Sequence, residues 1–251
     1  LVMASLWGNL ADLSLSAGAK LIAPDAASSG DAMGSDSSMM LCDDTEPLCE
    51  ALAACEGKEI LIVLDNCGLE LVSDLLLVDG LLRVVKPSKV TLHAKDRPVF
   101  VSDVQPKDMD YHIEWLAATE PELGGAMAAR LQAALDDGRL AVEAPQFYTS
   151  GRAFWEMPGD LRAAYEGAAL VVTKGDANYR RLLGDLHWRH DYSFAELTGS
   201  YWPEGTGLAA LRTCKSGVLV GVAPEREAAA AEAHPDKWLV AGLYGQVQFK
   251  P

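Results

Sequence analysis

The sequence predicts an α/β protein of three layers, α/β/α, with a largely parallel central sheet. Ile60–Leu64 is an unbroken apolar run, the mark of a strand buried on both faces. An acidic tip follows it, Asp65-Asn66, then the turn Cys67-Gly68, then Leu71, Val72, Leu75, Val78 and Leu82 at helical spacing. Ala168–Thr173 repeats the theme: a buried strand, the glycine-containing turn Lys174–Asn178, and a helix over Tyr179–Leu183. The third observation is bulk, since 251 residues of which 49% are hydrophobic suit one large domain over residues 1–251.

In chain order, Leu6–Ser16 reads as a turn anchored by Trp7. Residues 24–38 are small, polar, acidic and without period, and predict a mobile surface loop. Asp44–Ala54 predicts a short helix leading into the central strand. Lys89–Lys95 alternates like a strand, Asp96-Arg97-Pro98 turns, and Val99–Val104 continues as an extended segment that ends near Asp103. Helices are expected over Met109–Leu116, over Leu123–Leu135 with a stop at Asp136-Asp137-Gly138, and over Asp160–Glu166. Arg212-Thr213-Cys214-Lys215 precedes an expected strand over Gly217–Val222. Glu225–Ala233 is an exposed Ala/Glu helix, and Trp238–Phe249 closes the sheet with a bend at Gly242 and Gly245. There is no internal repeat and no second domain boundary.

The formal net charge of −15 argues against nucleic acid and anionic membranes as partners. No apolar run is long enough to span a bilayer, and no basic-then-apolar leader opens the chain. Five cysteines without paired ligand spacing fit free thiols in a reducing compartment, the cytoplasm, with the nucleus left open. Nothing in the sequence sets the oligomeric state.

The residues alone leave several roles open. Asp65 and Asn66 at a strand's carboxyl end either cap the next helix or hold a hard, oxygen-seeking cation. Glu70 either answers the helix dipole or orients a water. The turn Lys174-Gly175-Asp176-Ala177-Asn178 at a helix start makes a natural anion site, with Lys174 adding a full charge. Arg180 and Arg181 read as a solvated helix face. Arg212 and Lys215 are surface charges or a phosphoryl clamp.

LDNCGLELVSDLLL resembles the signature of the damage-control phosphatases, metal-dependent enzymes with an Asp-Asn-(Ala/Cys)-Gly-x-Glu segment. LWGNLADLSLS at Leu6–Ser16, HAKDRPVFVSDV at His93–Val104, KGDANYRRLLGD at Lys174–Asp185 and RTCK at Arg212–Lys215 follow the family's order. The last is similar to the mark of the subfamily of sugar-phosphate phosphatases, also named acidic-residue methyltransferases.

The resemblance implies a divalent metal, Mn²⁺ or Mg²⁺ with Ni²⁺ or Co²⁺ as alternatives, held by Asp65, Asn66 and Asp103. It implies a small phosphorylated metabolite as partner, of the fructose 1-phosphate or fructose 6-phosphate type. Asp65, Asn66, Lys174, Gly175, Asp176, Asn178, Arg212, Lys215, Asn9 and Asp12 are then the substrate-side residues. Asp65, Glu70 and Lys215 are the catalytic candidates, with Glu70 deprotonating a water and Lys215 touching phosphate. Attack by Asp65 itself ranks lower, because Cys67 stands where the D-x-D-x-T pattern of aspartyl-phosphate enzymes needs its second Asp. The resemblance also implies a helical region upstream, which would make this chain the catalytic part of a longer protein. The alternatives are an S-adenosylmethionine-dependent carboxyl methyltransferase, for which no G-x-G loop follows the first buried strand, and a catalytically silent binding module.

Overall fold

A computed structural model of the chain describes residues 1–8, 37–119, 122 and 124–251. Its elements, in order, are α1 (Val2–Trp7), β1 (Met40–Asp43), α2 (Thr45–Ala53), β2 (Glu59–Val63), α3 (Leu69–Gly80), β3 (Lys89–His93), α4 (Pro106–Thr119), α5 (Gly124–Asp136) and β4 (Leu140–Glu143). There follow α6 (Gly159–Gly167), β5 (Leu170–Lys174), α7 (Gly175–Leu182), α8 (Phe194–Gly199), β6 (Gly207–Thr213), α9 (Pro224–Ala233) and β7 (Gly245–Lys250). The expected loop at 24–38 falls outside the described residues up to 36.

The seven strands form one sheet in the order β1-β7-β6-β5-β2-β3-β4. β6, β5, β2, β3 and β4 are mutually parallel, β7 is antiparallel to β6, and β1 pairs parallel to β7. Alternation along β2 separates the layers. Ile60, Ile62 and Leu64 pack with apolar residues of α1 to α5, such as Leu6, Leu48, Leu71, Ile113 and Leu131. Leu61 and Val63 face the opposite layer, with Tyr165 of α6, Tyr179 of α7 and Phe194 of α8. Each of these aliphatic side chains contributes about 1.5–3 kcal/mol by its burial. The three-layer, mostly parallel architecture is the one the sequence predicts.

β2 and β5 are neighbours, yet the chain leaves β2 for β3 on one side and leaves β5 for β6 on the other. Their carboxyl ends therefore flank a topological switch point, where open α/β sheets hold ligands.

Four local expectations change. Gly217–Val222 is not a strand; the strand is β6, which already contains Arg212 and Thr213. The 217–222 segment has strand-like composition, but its backbone is tied elsewhere. The Gly221 and Val222 N–H groups bond the Tyr192 and His190 carbonyls, and its Val218 and Val220 carbonyls accept from Arg212 and Gln248. Val99–Val104 is not extended, because Asp103 Oδ2 accepts both the Val99 and Phe100 N–H groups at 2.8 Å and curls the segment into turns. α7 starts at Gly175 rather than Tyr179, so the expected anion turn is the helix's own first turn. Of Trp238–Phe249, only the part from Gly245 onward is strand. The sequence reading also passed over α1, β1, β4 and α8, all short.

Candidate active site

β2 delivers its carboxyl end to a second segment, and backbone pairing joins the two. The Leu64 N–H still bonds the His93 carbonyl at 3.0 Å; beyond it the Val104 N–H bonds the Asp65 carbonyl at 3.1 Å and the Cys67 N–H the Ser102 carbonyl at 2.8 Å. Asn66 and Asp103 face each other across this short antiparallel bridge. Gly68 then turns with φ +78°, a left-handed conformation that glycine adopts without penalty. Its N–H donates to His112 Nε2 at 3.1 Å, and the other ring nitrogen, carrying the proton, donates to the Asp108 carbonyl at 2.7 Å. α3 starts at once, placing Glu70 in its first turn.

The side chains converge. Lys95 Nζ lies 3.2 Å from Asp65 Oδ1 and also contacts Asp103 Oδ1. Burial alone would push the Lys95 ammonium down, but Asp65 and Asp103 together hold it above its usual value. Asn66 Nδ2 donates to Asp65 Oδ2 at 2.9 Å and to Glu70 Oε2 at 3.0 Å, while its Oδ1 accepts from Ser102 Oγ at 2.8 Å. The amide orientation follows from chemistry, since only the nitrogen can sit between two carboxylate oxygens.

Asp65, Asn66 and Asp103 offer carboxylate and amide oxygens, the donor set of a hard divalent cation. Among the described residues no three His, Cys, Asp or Glu side chains form a metal cluster, so Asn66 is needed to complete the set. Two observations fit the set to a cation. Both carboxylates already close on one cationic atom, Lys95 Nζ. Gly175, with φ +81°, lies so close that a Cβ there would fall 1.9 Å from Asp65 Oδ2, so only glycine leaves room beside that carboxylate.

Lys174 does not face the cleft. It is 1% exposed, and its ammonium lies 2.6 Å from Asp74 Oδ1, 3.2 Å from Glu70 Oε1 and 2.7 Å from the Ser5 carbonyl of α1. Its expected place as a phosphate contact therefore becomes a place behind the site, because two buried carboxylates claim the charge. Burial pushes Glu70 up to about 7 against the pull of Lys174, and it pushes Asp74 up as well. Glu70 is likewise engaged on both oxygens, by Lys174 and by Asn66.

Asp176 and Arg212 are structural partners. Asp176 Oδ1 accepts from Arg212 Nε at 2.7 Å, from the Lys215 N–H at 3.1 Å and from Ser216 Oγ at 3.1 Å. Arg212 is buried, stacked 4.2 Å from the centre of the Tyr179 ring, and bonds the Val218 and Ser216 carbonyls. Together they fix the turn that carries the half-buried Lys215. Asn178 Nδ2 bridges the two central strands through the Leu64 and Lys174 carbonyls, at 3.3 and 2.9 Å. Asn9 and Asp12 lie outside the described residues.

A cleft of 260 Å³ opens above Lys95 and Asp103, with Phe100 and Val99 on one wall, Asn178, Arg180 and Arg181 on another, and Thr149 to Gly151 beside them. A larger hollow of 410 Å³ near Trp188 and Glu227 contains none of the converging carboxylates, and chemistry rather than size selects the smaller one. The sequence reading missed Lys95, Ser102 and Asp74. It also set Arg181 on a solvated face, whereas its guanidinium bonds the Phe147, Tyr148 and Arg152 carbonyls and lies over the Phe147 ring. The signal for Lys95 was present in the strand Lys89–Lys95, one residue beyond the alternating apolar positions.

A sequence profile of the damage-control phosphatase ARMT1-like domain matches residues 1–230. Among curated relatives, the damage-control phosphatase ARMT1 of Mus musculus is 33% identical over 258 residues, covering 99% of this chain and 58% of that protein. The Danio rerio protein of the same name is 32% identical over 263 residues, covering 99% and 57%, and the Homo sapiens one 30% over 262 residues, covering 99% and 58%. The chain thus spans somewhat more than half the length of these relatives. A solved DUF89 family protein from Pyrococcus horikoshii aligns with a TM-score of 0.41 at 16% identity over 73% of this chain and 52% of that one, a likeness that carries no argument here.

Proposed function

The chain belongs to the damage-control phosphatase ARMT1-like domain family, and on that premise we propose that it hydrolyses small sugar phosphates of the fructose 1-phosphate or fructose 6-phosphate type with a divalent metal. The observation that carries the reading is the convergence of Asp65, Asn66 and Asp103 at the switch point beneath a cleft with cationic walls.

Asp65, Asn66 and Asp103 would hold Mn²⁺ or Mg²⁺. When bound, such an ion polarises a phosphoryl oxygen and offsets its charge. Asp65 and Asp103 bring the negative charge that attracts it, and Ser102 and Glu70 fix the Asn66 amide so that its oxygen is presented and its nitrogen is not. Lys95, in the cleft floor, offsets the carboxylates and can donate to phosphoryl oxygens. Lys215, anchored by its backbone on Asp176, supplies the second protein cation at the phosphate. Phe100 and Val99 cover the cleft's side and exclude water from the leaving sugar. Catalysis on this account is positioning plus electrostatic stabilisation of a loose phosphoryl transition state. Glu70, with both oxygens engaged behind Asn66, supports the amide rather than taking a proton from water.

The test is phosphate release from a panel of sugar phosphates with Mn²⁺ or Mg²⁺. Asp103→Ala should lower the rate by more than the roughly 10–100-fold seen when residues supporting a metal ligand are changed. Near-normal turnover of that variant at saturating metal would defeat the reading.

A further inference from the structure

We propose that Lys174 is a positioning residue, which through Glu70 sets the orientation of the Asn66 side-chain amide and ties the site to helix α1. The proposal rests on the phosphatase reading of the site but concerns this chain's own buried network.

The geometry is a single path. Lys174 Nζ occupies Glu70 Oε1 at 3.2 Å, which leaves Glu70 Oε2 to accept from Asn66 Nδ2 at 3.0 Å. With its nitrogen held there and on Asp65 Oδ2, Asn66 can only turn its oxygen toward Ser102 Oγ and the bridge with Asp103. The same ammonium binds Asp74 Oδ1, which also accepts from Ser5 Oγ, and it binds the Ser5 carbonyl. One cation thus joins α1, α3 and the end of β5 immediately behind the candidate ligand. Lys174, Glu70 and Asp74 are each at most 2% exposed, so the path lies away from bulk solvent. Without the ammonium, Glu70 Oε1 loses this donor, and the carboxylate is no longer locked with Oε2 toward Asn66 Nδ2. The amide would then lose the partner that sets its orientation.

The prediction separates this role from simple support of the fold. Lys174→Met should lower kcat by roughly 10–100-fold with KM little changed. Glu70→Gln keeps a neutral acceptor for Asn66 that needs no ammonium, so adding Lys174→Met to it should cost no more than about twofold further. The same fold-loss in both backgrounds would mean that Lys174 acts on stability alone and would overturn the proposal. A second readout needs no turnover. The Asn66 side-chain amide resonance, assigned by its absence in Asn66→Ser, should shift in Lys174→Met and stay near its Glu70→Gln position in the double variant. An unmoved Asn66 signal in Lys174→Met would also overturn the proposal. If Lys174→Met does not fold, Lys174→Met/Asp74→Asn removes one of the two uncompensated charges and takes its place in both measurements. Absence of metal-dependent phosphate release in the unaltered protein would defeat the phosphatase reading alone, and the amide resonance would still decide the role of Lys174.

Discussion

A single methyl group at residue 175 would close the space beside Asp65. Gly175→Ala places a Cβ at φ +81° and 1.9 Å from Asp65 Oδ2, so both backbone and carboxylate must move. The left-handed conformation alone costs about 1–2 kcal/mol. We expect a lower melting temperature together with loss of phosphate release; unchanged values in both would show that the carboxylate is not held where we place it. Lys215→Ala should reduce kcat by roughly the 10²–10³-fold seen on losing one oxyanion donor, and Lys215→Arg should not restore it fully. A rise in KM alone would make Lys215 a binder of ground state and transition state alike. His93 sets a pH dependence. Burial, and secondarily Lys89, lowers it from 6.5 to about 4, while Tyr148 Oη holds its Nδ1 at 2.7 Å. Between those two values the unfolded chain binds a proton that the folded one refuses, so stability is present above pH 6.5 and falls as pH drops toward 4. The loss at this one site is at most about 3 kcal/mol. Urea unfolding from pH 7 to pH 4.5 should show a shallower fall in His93→Gln, and parallel curves would contradict the assignment. At this scale Asp65 and Asn66 stood out because an acid and an amide follow directly on the apolar run of β2, whereas Asp103 lies in a turn and was singled out through the family resemblance. Lys95, Asp74 and the buried place of Lys174 were not, because their partners are distant in sequence and only the fold brings them together.

At the scale of elements, the strand–turn–helix units around β2 and β5 were legible because apolar runs, a glycine and helical spacing adjoin in the chain. β6 was not, since GLAALRT carries the charged Arg212 next to its end while the neighbouring Val218–Val222 has better strand composition. The decisive fact was where the buried Arg212 finds its partners. The α3–α5 contact shows how a charge can join helices. Arg130 makes a two-pronged pair with the buried Asp79, at 2.6 and 2.8 Å, and Arg83 approaches the same carboxylate at 3.6 Å. Arg130→Ala should cost about 1–3 kcal/mol, because it strips hydrogen bonds from a buried carboxylate rather than breaking a solvated pair. Equilibrium unfolding measures it. A change below about 0.5 kcal/mol would place the pair with ordinary surface bridges.

Across the whole molecule the formal charge is −15, and a phosphate ester approaching such a surface is repelled. Binding must therefore be local. Asp65 and Asp103 place two of those negative charges at the site, where Lys95 pairs with both, while Lys174 is spent on Glu70 and Asp74. A bound divalent ion is then the largest positive charge there. Moderate salt should not abolish binding, because long-range repulsion weakens beyond a Debye length of about 10 Å at 0.1 M. The most direct measurement is calorimetric titration of phosphate and of fructose 1-phosphate into the protein with Mn²⁺ and after EDTA, with Asp103→Ala alongside. The account predicts measurable binding with Mn²⁺, negligible binding after EDTA, and negligible binding by Asp103→Ala under either condition. Equal affinity in the metal-stripped protein would contradict it.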